Sequence, residues 1–111
     1  MKRKIKVVFV TVPDEETAEK ISRDIVQNGL AACVNIIKDI RSIYMWEGKL
    51  EDGKELLLMI KTSSSAFKKL KDRIKTLHPY SVPEVIAIDV IDGNKDYINW
   101  VLEETSKKKR A

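Results

Sequence analysis

The sequence predicts an α+β subunit of the ferredoxin-like kind, β-α-β-β-α-β with an additional C-terminal helix. Two observations predict it. Four apolar segments of strand character are interleaved with two segments of helical periodicity in that order, and each helical segment has one apolar stripe to lay on a sheet. Two right-handed crossovers then place both helices on the same face of a four-stranded antiparallel sheet.

The elements follow in order. IKVVFVT (5–11) is a near-continuous apolar strand bounded by Pro13 and Asp14, suited to a central position. DEETAEKISRDIVQNG (14–29) is a helix: acids crowd its first turn, Ala18, Ile21 and Ile25 form the stripe, and Gly29 stops it. LAACVNII (30–37) is the second strand. The alternation resumes at 40–46, with Ile40, Ser42, Tyr44 and Trp46 on one face and Arg41, Ile43 and Met45 on the other. A bend or bulge is therefore expected near Lys38-Asp39. Gly48 and Asp52-Gly53 mark a hairpin connection longer than two residues, and ELLLMIKT (55–62) is the third strand. Ser63, Ser64 and Ser65 offer N-caps to a helix carrying Ala66, Phe67, Leu70, Ile74 and Leu77. HPYSVPE (78–84) leads into EVIAIDVI (84–91), the fourth strand, and Gly93-Asn94 opens a last helix with Tyr97, Ile98, Val101 and Leu102 inward.

The 111 residues, 43% of them apolar, read as one domain, 1–111, with short basic ends at 1–4 and 106–111. The start MKRKIKVVFVTVPDEE is read as a first strand of a cytoplasmic protein, because acids and helical periodicity follow at once with no cleavage pattern. The net charge of +4 comes from the ends. Lys2, Arg3, Lys4 and Lys6 with Lys107, Lys108, Lys109 and Arg110 hold eight of the 21 basic residues, leaving 13 to face 17 acids in the body. That distribution argues against a nucleic-acid partner, and no apolar run is long enough to span a membrane. Catalytic spacings of the Ser/His/Asp, Cys/His, HExxH or glycine-rich phosphate-loop kinds are lacking, so no enzyme and no required cofactor is expected. The second and third strands carry apolar or aromatic residues on both faces. Helices on one side cannot cover both, and burial against further copies of the chain resolves the conflict. The alternative is that the terminal helix alone covers the second face.

The stretches VTVPDEETAEKI, GLAACVNI, SIYMWEGKLED, KTS, HPYSVPE and GNKDYINWV stand in order over most of residues 7–101. On these the chain resembles the CutA family of divalent-cation tolerance proteins. The resemblance implies a tight homotrimer of ferredoxin-like subunits with long hairpin strands. It is similar in build to the PII signalling proteins, which bind small ligands between subunits. It also implies association with copper and other divalent ions and no established catalysis. Copper ligands proposed for some members fall here on Val10, Leu77 and His78, of which only His78 is a ligand type; Ser81 stands where many members have Glu.

The candidate metal residues are accordingly His78, Glu84 and Cys33, for Cu²⁺ or another divalent ion. Each also has a structural reading. His78 can cap the second helix, and Cys33 can serve as a small buried hydrophobe. Tyr44, Trp46 and Tyr80, with Trp100 nearby, are candidates for an inter-subunit cleft with a small ligand or for interface packing. Lys61 and Glu84 can pair across the sheet or hold a ligand's charge. Pro79 and Pro83 end the helix and aim the next strand.

Overall fold

The structure, a computed structural model, describes residues 4–106; most of the basic ends fall outside the described residues. Its elements are β1 (Ile5–Val12), α1 (Glu15–Gln27), β2 (Cys33–Trp46), β3 (Lys49–Ser63), α2 (Phe67–Leu77), β4 (Val85–Asp89) and α3 (Lys95–Ser106). The sheet order is β2-β3-β1-β4 with every neighbouring pair antiparallel. This is the ferredoxin-like arrangement with the additional helix, as the element order predicts.

Local chemistry sets the boundaries. Asp14 Oδ1 accepts from the Thr17 amide at 2.8 Å and caps α1, and those bonds hold the Asp14 carboxyl below its usual value. Gly29 takes the left-handed conformation (φ 71°), and the amides of Leu30 and Ala31 turn back to the Ile25 carbonyl. Residues 30 and 31 are thus spent closing the helix, and β2 begins at Cys33 rather than at Leu30. Ser63 Oγ, not Ser64 or Ser65, accepts from the Ala66 amide at the entry to α2. That helix ends at Leu77 because Pro79 forces His78 into extended backbone, φ −78° and ψ 138°. β4 is shorter than the predicted 84–91. Its ladder with β1 runs only from Lys6 to Val10, with one further bond from the Val90 amide to the Ile5 carbonyl.

Two departures from a plain hairpin shape the molecule. Between Ile37 and Ile40 the β2 strand gains one residue on β3, and Asp39 sits there at φ 61°. This is the expected bulge, and it switches the strand's parity. Cys33, Asn35 and Ile37 share a face before it, and Ile40, Ser42, Tyr44 and Trp46 continue that face after it. The connection itself differs from the expected long loop. Trp46 pairs with Lys49 around a two-residue turn, Glu47 (φ 50°) and Gly48 (φ 80°), both positive as a type I′ turn demands. Asp52-Gly53 lies within β3, opposite Ile43 and Ser42. β1 pairs with β3 only over Leu56–Ser63, so the hairpin's outer part projects beyond the sheet by seven residues of β3, roughly 23 Å.

The core lies between the sheet and α1 and α2. Val8, Val10, Val12, Leu58 and Ile60 meet Ile21, Ile25, Leu70 and Ile74, all fully buried. Arg73 grips Asp24 with two bonds, at 2.9 and 2.6 Å, tying the helices together. α3 packs on the opposite face at one end, where Val101 meets Ile5 and Ala32. It does not cover that face. Ile86 and Ile88 are each 57% exposed, and Ile37, Tyr44 and Trp46 are exposed as well.

Candidate functional site

The turn at Glu47-Gly48 fixes the register that builds the site. It places Tyr44 opposite Glu51, Ser42 opposite Gly53 and Ile40 opposite Glu55, all on the sheet face away from α1 and α2. The HPYSVPE segment rises beside this ribbon. Between them lies a cleft of about 730 Å³ lined by Thr11, Ser42, Ile43, Tyr44, Trp46, Glu51, Glu55, Tyr80, Ser81, Val82 and Glu84. That size suits a small organic molecule.

His78 holds the wall. It is 7% exposed. Its Nδ1 accepts from the Tyr80 amide at 3.1 Å, so the ring proton sits on Nε2, which donates to the Thr11 carbonyl at 2.8 Å. Its backbone amide closes α2 on the Ile74 carbonyl. The sequence reading of His78 as a helix cap is thus met by the backbone, while the ring ties the helix end to β1. Its plane leans on Tyr80, with centroids 4.7 Å apart. Tyr80 is aimed by this contact, and its phenol donates to Glu55 Oε2 at 2.7 Å.

Burial and the adjacent Glu55 carboxylate push the Tyr80 phenol well above its ordinary value. Burial also raises Tyr97, with Cys33 beside it. A phenol kept protonated in the folded chain contributes stability that is intact below about pH 10, its unfolded value, and lost as pH climbs toward the folded one. In a titration of native protein followed at 295 nm, Tyr80 and Tyr97 are expected to ionise above the ordinary phenol range. Ionisation of Tyr80 at about pH 10, identified by the signal that Tyr80→Phe removes, would remove this picture of the Tyr80–Glu55 contact.

The remaining candidates are spread over the subunit. Glu84 is exposed and lines the cleft with Tyr44, Trp46 and Tyr80. Trp100 does not join them; it packs against Tyr97 on α3, with centroids 5.7 Å apart. Lys61 donates to Asn35 Oδ1 and stands opposite Val7, whereas Val85 next to Glu84 stands opposite Val10. The cross-sheet Lys61–Glu84 pair is therefore not formed. Cys33 is half-buried opposite Lys61. His78 touches Thr11, four residues along β1 from the Val7 level, roughly 13 Å, so Cys33 and His78 of one chain cannot share an ion. Among the described residues no group of three His, Cys, Asp or Glu side chains is placed to hold a metal. Glu51 and Glu55 escaped the sequence reading. The signal for both was the register that a turn at Glu47-Gly48 imposes.

A family model for the CutA1 divalent ion tolerance protein matches residues 6–104. The chain belongs to the CutA1 family. It is 50% identical over 99 residues to the divalent-cation tolerance protein CutA of Thermus thermophilus, covering 89% of this chain and 96% of that one. It is 48% identical over 101 residues to the human protein CutA, of whose length it spans 56%. Among solved structures, CutA1 from Oryza sativa superposes with a TM-score of 0.90 at 43% identity, covering 93% of this chain and 94% of that one. The Thermus thermophilus divalent cation tolerance protein superposes at 0.89 with 48% identity, covering 91% and 98%.

Proposed function

We propose that the chain works in the cytoplasm as a non-enzymatic homotrimer that associates with divalent cations, copper first; the family's name supports the divalent cations alone. The observation that carries this is the apolar face α3 leaves open. Ile37, Tyr44, Trp46, Ile86 and Ile88 lie on the surface of one subunit, and a projecting hairpin beside them is shaped to reach a neighbour. Within one chain Cys33 stands apart from His78 and Glu84, so a metal site that draws on Cys33 together with either takes them from different chains. Copper binding to metal-stripped protein, by competition against a chelator of known affinity, tests it. A fixed number of sites per three chains, weakened by Glu84→Gln or Cys33→Ala, is expected; weak binding indifferent to both substitutions sinks the metal role.

A second reading is favoured by the cleft itself: a small-molecule binding module of the PII kind, in which metal contact is incidental. The 730 Å³ volume and the aromatic walls support it.

A further inference from the structure

We infer that Lys61 of one subunit pairs with the partner subunit's Glu84, so that an ion pair between two copies of this chain closes each seam of the assembly. The inference deepens the first reading and rests on the homotrimer proposed there. Its first support is that both charges stand uncompensated within the chain. Lys61 donates to the neutral Asn35 side chain, and Glu15, Glu19, Asp24, Asp52, Asp72 and Asp89 hold other cations. Among the described residues neither Lys61 nor Glu84 has an opposite charge within ion-pair distance.

The second support is where they stand. Lys61 lies in a row across the sheet with Cys33, Val7 and Ile88. Glu84 comes two residues before Ile86 and so falls on the same face. Ile86 and Ile88 are the exposed side chains that the homotrimer covers, and a seam laid over them takes both flanking charges out of water. A charge in that position needs a partner. Val85 stands opposite Val10, so Glu84 comes at the level of Thr11, four residues along β1 from the Lys61 level at Val7, roughly 13 Å. The two cannot pair within one chain.

The third is symmetry. A closed ring of three joins two different patches at every seam. Lys61 and Glu84 mark two such patches, opposite in charge, at opposite ends of one apolar face. The other carboxylates on that face are less suited. Glu55 already accepts from the Tyr80 phenol, and Glu51 rides on the hairpin beyond the ladder of β1 with β3. Glu84 is the exposed one at the rim of the sheet itself.

The test is a charge exchange in the whole protein, read by light scattering on dilution, in enough urea to make dissociation measurable while circular dichroism stays native. Lys61→Glu and Glu84→Lys each set like charges against one another at every seam, and each is expected to raise the dissociation midpoint by about tenfold or more. The double variant restores opposite charges and should return to within about threefold of the parent. Lys61→Met and Glu84→Gln, which remove a charge without adding repulsion, stand in if a reversed variant fails to fold: each alone should weaken assembly, and the two together should weaken it less than either. A parent of single-chain mass overturns the homotrimer and the pair together. A parent trimer with unaffected single variants, or a double variant no better than the singles, overturns the pair and leaves the homotrimer standing. Rescue of Lys61→Glu by Glu51→Lys and not by Glu84→Lys overturns it as well.

Discussion

His78→Ala is expected to lower the free energy of unfolding by about 2–4 kcal/mol, the range for stripping a buried group from two hydrogen bonds. The loss comes from particular atoms. The Thr11 carbonyl loses its donor, the Tyr80 amide loses its acceptor, and the ring that Tyr80 leans on is gone. Tyr80 then loses its aim at Glu55, so the cleft wall loosens together with the end of α2. Urea unfolding monitored by circular dichroism reads the first effect. Because both ring nitrogens are already engaged by backbone, copper affinity of the folded variant should match that of the parent. A variant of parental stability that no longer binds copper would make His78 a ligand and not a strut.

Replacing Ile86 and Ile88 together by aspartate is expected to convert the proposed homotrimer into single chains. Both side chains lie on the edge strand β4, on the face away from the core, and each is 57% exposed in one subunit. Their loss therefore does little to the fold of an isolated chain, whose core is built from Val8, Val10, Leu58 and Ile60 on the other face. In an assembly each isoleucine would contribute about 1.5–3 kcal/mol by burial, and an aspartate in its place adds the cost of desolvating a charge. Three seams multiply the effect. Size-exclusion chromatography with light scattering reads it, and an unchanged mass would place the subunit contact elsewhere.

What was legible in the sequence was chemistry that acts within a few residues. Asp14 and Gly29 bracket α1 through their own hydrogen bonds and backbone angles, and Pro79 ends α2 through its ring. The parity change around Asp39 was visible because apolar alternation changes phase there. The turn was misplaced for the same local reason: Asp52-Gly53 is a stronger hairpin signal than Glu47-Gly48, and only the pairing along the whole ribbon decides between them. That one displacement hid Glu51 and Glu55, which enter the cleft by register. Trp100 and the Lys61–Glu84 pair depended on where α3 docks and on how far apart two strands stand, which no local pattern encodes. The ring of His78 finds its partner 67 residues away in Thr11.

The face that α3 leaves open is the feature from which the proposed assembly, its seams and its cleft all follow. Its most direct test is the mass of the protein in solution, measured by multi-angle light scattering at micromolar concentration and physiological salt. A homotrimer requires the mass of three 12.7 kDa chains, unchanged on dilution. A single-chain mass, with Ile86 and Ile88 still in place, would contradict it.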